Sequence, residues 1–311
     1  MPKLLSLKVL VWLILALVWS TTWMFIKVGL EQGLPPIAFS ASRFLLSVAL
    51  LAIIIKLQKI PLPKTPAEWR LVALTGVLQF SINYSMVFWA EQYITSGLAA
   101  VLQATITVFG LVLAWIFLPD ERITAQKIIA VVIGVIGVGV IFTDQLRVEN
   151  WLAFAGCVAI VVGAYAAAQA SVLVKAKAAN IHPAALVFSQ MLCGLPAIII
   201  YSLVREGNPL THPWSWTALF CIFYLAVFGS VLAFWLYYWL LSRIESTKAM
   251  MISLVTPLLA VVIGSVVLGE TLPPQTGIGG LLIIAGIGLI VFRKKRSNTK
   301  TPSREDAEAG L

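Results

Sequence analysis

Hydroxyl, amide and phenol side chains that interrupt long apolar runs are the groups with which this sequence could do chemistry. Thr22 sits in VWSTTWMF, Asn83 and Tyr84 in LQFSINYS, Gln103 and Thr107 in VLQATIT, Tyr165 and Gln169 in AYAAAQ, and Ser253 in MISLVT. Burying such a group away from water costs roughly 2–7 kcal/mol unless it meets a partner. Each one therefore either bonds a neighbouring helix or lines a polar cavity. Trp19, Trp23, Trp235 and Tyr238 fall within the same apolar runs, where aromatic rings either pack a core or face an apolar or aromatic ligand. The chemistry open to this set is reversible binding of a small amphipathic molecule.

Arg43 adds a charge seven residues past Pro36, about 10 Å along a helix that rises about 1.5 Å per residue. Placing arginine well inside a membrane span costs about 2.5–3.5 kcal/mol on insertion scales, so it requires protein or water around it and a partner. Glu31 and Glu91 are the candidate partners, and Gln190 stands at the matching position of the second half. Arg43 either snorkels into a structural ion pair or gates an outer vestibule and meets an anionic group. Its planar fork suits bidentate carboxylate contacts better than lysine does.

Catalytic constellations are absent. The two histidines, His182 and His212, fall in loops, and Cys157, Cys193 and Cys221 show no paired spacing. Neither cysteines nor carboxylates cluster at metal-ligand spacing, and no glycine-rich phosphate loop is present. Glu31, Glu91, Asp120, Glu121, Asp144, Glu149 and Glu270 all lie at or beyond the ends of apolar runs. No acid is left at mid-depth to bind cations. No metal, cofactor or nucleic-acid partner is expected. A membrane-embedded enzyme is one competing reading, without residues to carry it; a non-transporting scaffold is another, and gives no reason for polar residues inside the spans.

The elements that must position these groups follow from composition. With 60% hydrophobic and 11% charged residues, and a mean hydropathy of +0.97, the chain lacks the polar surface of a soluble globule. Ten runs of about 20 residues are long enough as helices to cross a hydrocarbon core roughly 30 Å thick. They lie near 9–30, 36–55, 69–91, 94–118, 125–143, 150–174, 183–204, 214–241, 245–268 and 273–292. The first run follows Lys3 and Lys8 but lacks a small-x-small cleavage site, so it reads as a helix rather than a signal peptide. All but four of the 22 lysines and arginines (Lys27, Arg43, Arg147 and Arg205) fall on one side of this arrangement. That bias places both termini in the cytoplasm of a multi-pass plasma-membrane protein, in the bacterial inner membrane. The bilayer and a small-molecule substrate are the expected partners, and a monomer or a homodimer is open.

The chain also repeats itself. At a shift of 150, Trp89 matches Trp239, Ile94 matches Ile244 and Ala99 matches Ala249; at 147, Pro36 matches Pro183 and Ser42 matches Ser189. The expected fold is thus an all-α polytopic membrane protein whose ten transmembrane helices form two five-helix repeats, residues 1–145 and 146–292. An odd helix number per unit turns the second upside down, as in many secondary transporters. Residues 293–311 read as a disordered, basic and polar cytoplasmic tail. Gly134, Gly137, Gly139, Gly277, Gly279, Gly280, Gly286 and Gly288 read as packing stripes on helices 5 and 10. Glu121 and Glu270 precede those helices, where a negative charge suits the dipole.

Together, VWSTTWMFIKVGL, PPIAFSASRFLL, LPDERIT at 118–124 and LGETLPP at 268–274, with Pro257 thirteen residues before Glu270, resemble the drug/metabolite transporter superfamily, specifically its ten-helix EamA-like members. The resemblance spans about residues 8–292. Departures are Ser20 for the usual glycine after Trp19, Thr107 in place of a proline, and Tyr165 rather than tryptophan in helix 6. The resemblance implies a secondary transporter, by expectation an exporter of small metabolites such as amino acids. It also implies a central cavity between helices 1, 3 and 4 and helices 6, 8 and 9, faced by Asn83, Gln103, Tyr165 and Gln169.

Overall fold

Prolines and short polar side chains set where the helices begin. Pro36, Pro66 and Pro183 stand at first-turn positions that have no use for an N–H, while Thr65, Thr95, Thr124, Asn150 and Ser215 each accept a bond from a backbone N–H of the turn they cap. The computed structural model describes residues 2–212, 214–268 and 274–291, and among the described residues every regular element is helical. In order they are α1 (Pro2–Glu31), α2 (Pro36–Gln58), α3 (Pro66–Ala90), α4 (Ser96–Gln103 continued by Thr105–Phe117), α5 (Ala125–Ile141), α6 (Trp151–Lys177), α7 (Pro183–Arg205), α8 (Trp216–Leu241), α9 (Ser246–Met250 continued by Ile252–Leu268) and α10 (Gln275–Val291).

Eight of these, α1 to α4 and α6 to α9, are long and apolar enough to cross a membrane. The other two, α5 and α10, have 17 residues each. That corresponds to about 26 Å, short of a roughly 30 Å hydrocarbon core. They pack on each other through glycine. A Cβ on Gly137 would lie 2.7 Å from the Gly279 carbonyl oxygen, and one on Gly286 would lie 2.6 Å from that of Ala130. Gly139 and Gly277 face open space, so only part of the expected stripe is a contact. A second close approach joins α3 to α7, where a Cβ on Gly194 would meet the Gly76 oxygen at 2.8 Å.

Two helices widen into π-helical turns, α3 over Val77–Asn83 and α8 over Val227–Leu232. These starts are 150 residues apart, the same offset that relates Trp89 to Trp239. A π turn frees backbone groups and rotates the side chains beyond it, and such turns are frequent at functional sites.

Acids cap helices across the chain rather than locally. Glu121 does not serve the N-terminus of α5; its carboxylate accepts from Ser246 N at 2.8 and 3.0 Å and from Ser246 Oγ at 2.7 Å, closing the start of α9. Glu206, at the end of α7, accepts from Ile37 N at 2.8 Å and Ala38 N at 2.7 Å at the start of α2. In both cases a full charge meets orphan N–H groups at the positive end of a helix. Glu270, Phe292 and the tail from 293 lie outside the described residues.

The α8–α9 turn is tied from several helices. Lys175 Nζ donates to the carbonyls of Leu241 at 2.7 Å and Ile244 at 2.8 Å. Lys8 Nζ donates to Arg243 O at 3.1 Å, and Trp12 Nε1 to Lys248 O at 3.0 Å. Glu245 pairs with Lys127 at 3.1 Å and with Lys248 at 3.6 Å. Burial pushes the Glu245 carboxyl up, but Lys127 and then Lys248 outweigh it and hold the group below its ordinary value of 4.5. A depressed carboxyl stabilises the fold above its unfolded value and stops doing so as pH falls through the folded one. Thermal stability of Glu245→Gln should therefore fall behind the parent at neutral pH and converge on it as the pH drops into the acid range. The gap should not exceed about 1 kcal/mol, because the group is one-third exposed and solvent screens it. Melting curves from pH 3.5 to 7.5 check this, and a gap that widened toward acid would contradict the assignment.

Candidate substrate cavity

A cavity of about 150 Å³ opens between α1, α2, α3, α4, α6, α8 and α9. From α1 come Trp19, Thr22 and Trp23, and from the π turn of α3 and the residue after it come Gln79, Asn83 and Tyr84. Gln103 of α4 and Ser253 and Thr256 of α9 complete the polar wall. Gln103 Nε2 donates to Asn83 Oδ1 at 3.3 Å, while Gln103 Oε1 is buried with no hydrogen-bond partner in the protein. The apolar side is aromatic: Trp19 meets Phe234 edge-on at 5.7 Å and Tyr237 at 5.4 Å between ring centroids. Tyr237 donates to Ser171 Oγ of α6 at 3.1 Å, and both side chains line the cavity.

Arg43 lies on this wall rather than near an outer vestibule, and it is 1% exposed. Neither Glu31 nor Glu91 pairs with it. Its Nε and Nη2 donate to Ser230 Oγ at 3.2 and 3.0 Å, and Nη2 also points at Gly229 O at 3.5 Å. Both partners belong to the π turn of α8, which turns its backbone and a hydroxyl toward α2. The guanidinium carbon sits 5.0 Å from the centre of the Tyr84 ring and 4.8 Å from that of Phe44. Among the described residues no carboxylate forms an ion pair with Arg43.

Seven of the residues singled out from sequence as cavity candidates line this space: Trp19, Thr22, Trp23, Asn83, Tyr84, Gln103 and Ser253. Thr107 stands behind the wall, bonding Ser253 Oγ at 2.8 Å and Met250 O at 3.2 Å and so joining α4 to α9. Tyr165 is 47% exposed on the outer face of α6, against Phe109. Gln169 is off the wall as well. The helix presents Ser171 to the cavity, and a residue two positions earlier is turned about 200° away. The same rotation affects α8, where Phe234 and Tyr237 face inward while Trp235 and Tyr238 line a separate groove with Lys175, at the end where α6 finishes. Glu91 lines a groove with Trp23, Lys27, Leu30 and Glu31. Gln190 is buried in α7 and donates to Thr75 Oγ1 at 2.7 Å. Ser171 and Tyr237 were missed. A shift of 148, which also pairs Lys27 with Lys175, would have matched Ser171 to Trp23.

Among the described residues no group of three or more His, Cys, Asp or Glu is placed to hold a metal ion. The arrangement is a small, partly aromatic chamber with one fixed positive charge, a hydrogen-bonded amide pair and hydroxyls, walled by both halves of the chain. Known proteins share both the sequence and the fold. The transporter YoaV of Bacillus subtilis, described as uncharacterized, is 24% identical over 280 residues, 90% of this chain and 95% of its own. The inner membrane transporter YedA of Escherichia coli K12, also described as uncharacterized, is 28% identical over 284 residues, 90% of this chain and 89% of its own. A probable amino-acid metabolite efflux pump of Salmonella typhimurium is 27% identical, covering 90% of this chain and 93% of its own. One solved crystal structure superposes with a TM-score of 0.78 over 92% of this chain and 96% of that one, at 16% identity, which speaks to the fold alone. The family pattern itself matches twice, over residues 6–143 and 154–292, so the two halves that enclose the cavity are each one copy of it, and this chain belongs to the EamA-like transporter family.

Proposed function

We propose that the protein is a secondary transporter that exports small metabolites, such as amino acids or related amphipathic compounds, across the bacterial inner membrane. The observation that carries this reading is the shared wall: α1 to α4 on one side and α6, α8 and α9 on the other enclose one polar and aromatic chamber. The cycle is alternating access between two inverted five-helix repeats, residues 1–145 and 146–292, with both termini in the cytoplasm. Substrate and bilayer are its partners, and one copy suffices to build the cavity.

The two end grooves support the inversion. Lys27, Leu30 and Glu31 of one groove stand where Lys175, Ala178 and Ala179 stand in the other at a shift of 148, and Glu91 corresponds to Leu241 at 150. Lys175 holds the carbonyls of Leu241 and Ile244. Its counterpart Lys27 is exposed and makes no such bond to Glu91 or Ile94. An alternating cycle exchanges these two conditions: in the other state Lys27 takes the carbonyls of Glu91 and Ile94 and Lys175 lets go. Counterflow of radiolabelled amino acids and related metabolites into proteoliposomes of the full chain tests the transport reading. Exchange of at least one compound above protein-free vesicles is the expected result, and none across the whole library would end it.

A further inference from the structure

Arg43 brings a permanent charge to a chamber whose lining side chains include no acid. It is held in place by neutral groups, Ser230 Oγ and Gly229 O of the π turn and the phenol of Tyr84. Ser230 is itself fixed, donating to Leu225 O at 2.9 Å. A buried cation served by neutral dipoles and two aromatic rings is undercompensated, and an arriving anion gains the attraction without having to displace an internal carboxylate. The rest of the wall complements an apolar body: Trp19, Phe234 and Tyr237 pack edge-on and tilted around the space. An ammonium group would enter the same small chamber as a like charge, with no acid to meet.

We infer that the cavity selects small organic monoanions, an apolar or aromatic body whose carboxylate is held by Arg43, over the zwitterion and the amine that carry the same body. This rests on the reading of the chamber as a substrate site, and within that reading it puts organic acids ahead of the amino acids named above. The carboxylate docks on the guanidinium from the cavity side, while the Ser230 bonds keep the fork from turning away. The unpartnered Gln103 Oε1 accepts from a hydroxyl on the same molecule when one is present.

Four probes of one body separate the possibilities: 3-phenylpropionate, its carboxamide, L-phenylalanine and 2-phenylethylamine. Thermal shifts of the purified full chain in detergent measure binding, and competition in counterflow measures site occupancy. The acid should raise the melting temperature and bind more tightly than phenylalanine. The carboxamide and the amine should be weaker than the acid by at least about 30-fold, the loss expected when one partner of a desolvated charge pair is removed. In Arg43→Gln the acid should lose its advantage over the carboxamide, and Arg43→Lys should restore part of it. Equal binding of amine or carboxamide, tighter binding of phenylalanine than of the acid, or an acid preference that survives Arg43→Gln would each overturn the inference. Should the glutamine variant fail to fold, the probe series on the unaltered chain decides alone. Arg43-dependent binding of the acid with no flux of any probe would leave the inference standing and defeat the transport reading. Flux of neutral or cationic probes with no preference for the acid would do the reverse.

Discussion

Gln103→Leu lowers substrate exchange about 5- to 150-fold while leaving folded protein in the membrane, and Gln169→Leu does not. Both glutamines interrupt apolar helices, and from sequence they are equivalent candidates. The structure separates them. Gln103 lines the cavity and donates to Asn83 Oδ1 at 3.3 Å, so leucine removes the donor and leaves the Asn83 oxygen facing an apolar chain. An unsatisfied buried acceptor costs about 1–3 kcal/mol, which as lost substrate binding is about 5- to 150-fold. Gln169 Oε1 is already buried without a partner, so exchanging that amide for a methyl-bearing chain is close to neutral and can stabilise. Counterflow rates normalised to membrane abundance measure the difference. If Gln169→Leu lost as much exchange as Gln103→Leu, the cavity would be drawn on the wrong face of α6.

Lys175→Met and Lys27→Met shift the protein in opposite directions. In the state described, Lys175 ties the end of α8 to α6 through two charge-assisted bonds, and Lys27 ties nothing. Removing Lys175 therefore weakens this state and spares the alternative. Removing Lys27 spares this state and weakens the one in which it would hold Glu91 and Ile94. Hydrogen bonds to a charged donor contribute about 1.5–3 kcal/mol each. A net bias of even 1.4 kcal/mol moves a two-state population about tenfold. The readout is alkylation of a single cysteine at Thr247, which is fully buried beside the tied turn. Labelling from the side of that turn should rise several-fold in Lys175→Met and fall in Lys27→Met. Parallel changes in the two variants would rule out an exchange of latches, whatever the flux results say.

Helix positions were legible because the signals are local and additive. Length of apolar run, prolines at first turns and capping hydroxyls each act within a few residues; α2 and α7 begin at the expected Pro36 and Pro183, and α3 begins at Pro66, three residues before its expected start. The repeat was legible for the same reason, since equal residues at a fixed offset need no contact to be seen, and the family match falls on both halves. Helices 5 and 10 were expected to span like the rest, and at 17 residues each they are shorter than the other eight.

The azimuth of each helix was hidden. In a soluble protein the polar face marks solvent and sets the phase of a helix, but here lipid and protein interior are equally apolar, so α6 and α8 are apolar all round and carry no phase. That is why Gln169 was chosen over Ser171, and Trp235 and Tyr238 over Tyr237. Arg43 shows the same division. Its depth followed from its distance to Pro36, and its need for company followed from the cost of burying it. Its partner, Ser230, lies 187 residues away on a π turn that brings a hydroxyl and a carbonyl to α2. Glu121 likewise reaches 125 residues to Ser246. The chain by itself determined which segments are helices, that they come as two copies and that Arg43 must be satisfied. Which faces meet, and hence which side chains share a cavity, was decided only when the helices packed, because nothing in an apolar helix surrounded by apolar neighbours distinguishes one side from another until a second backbone lies against it.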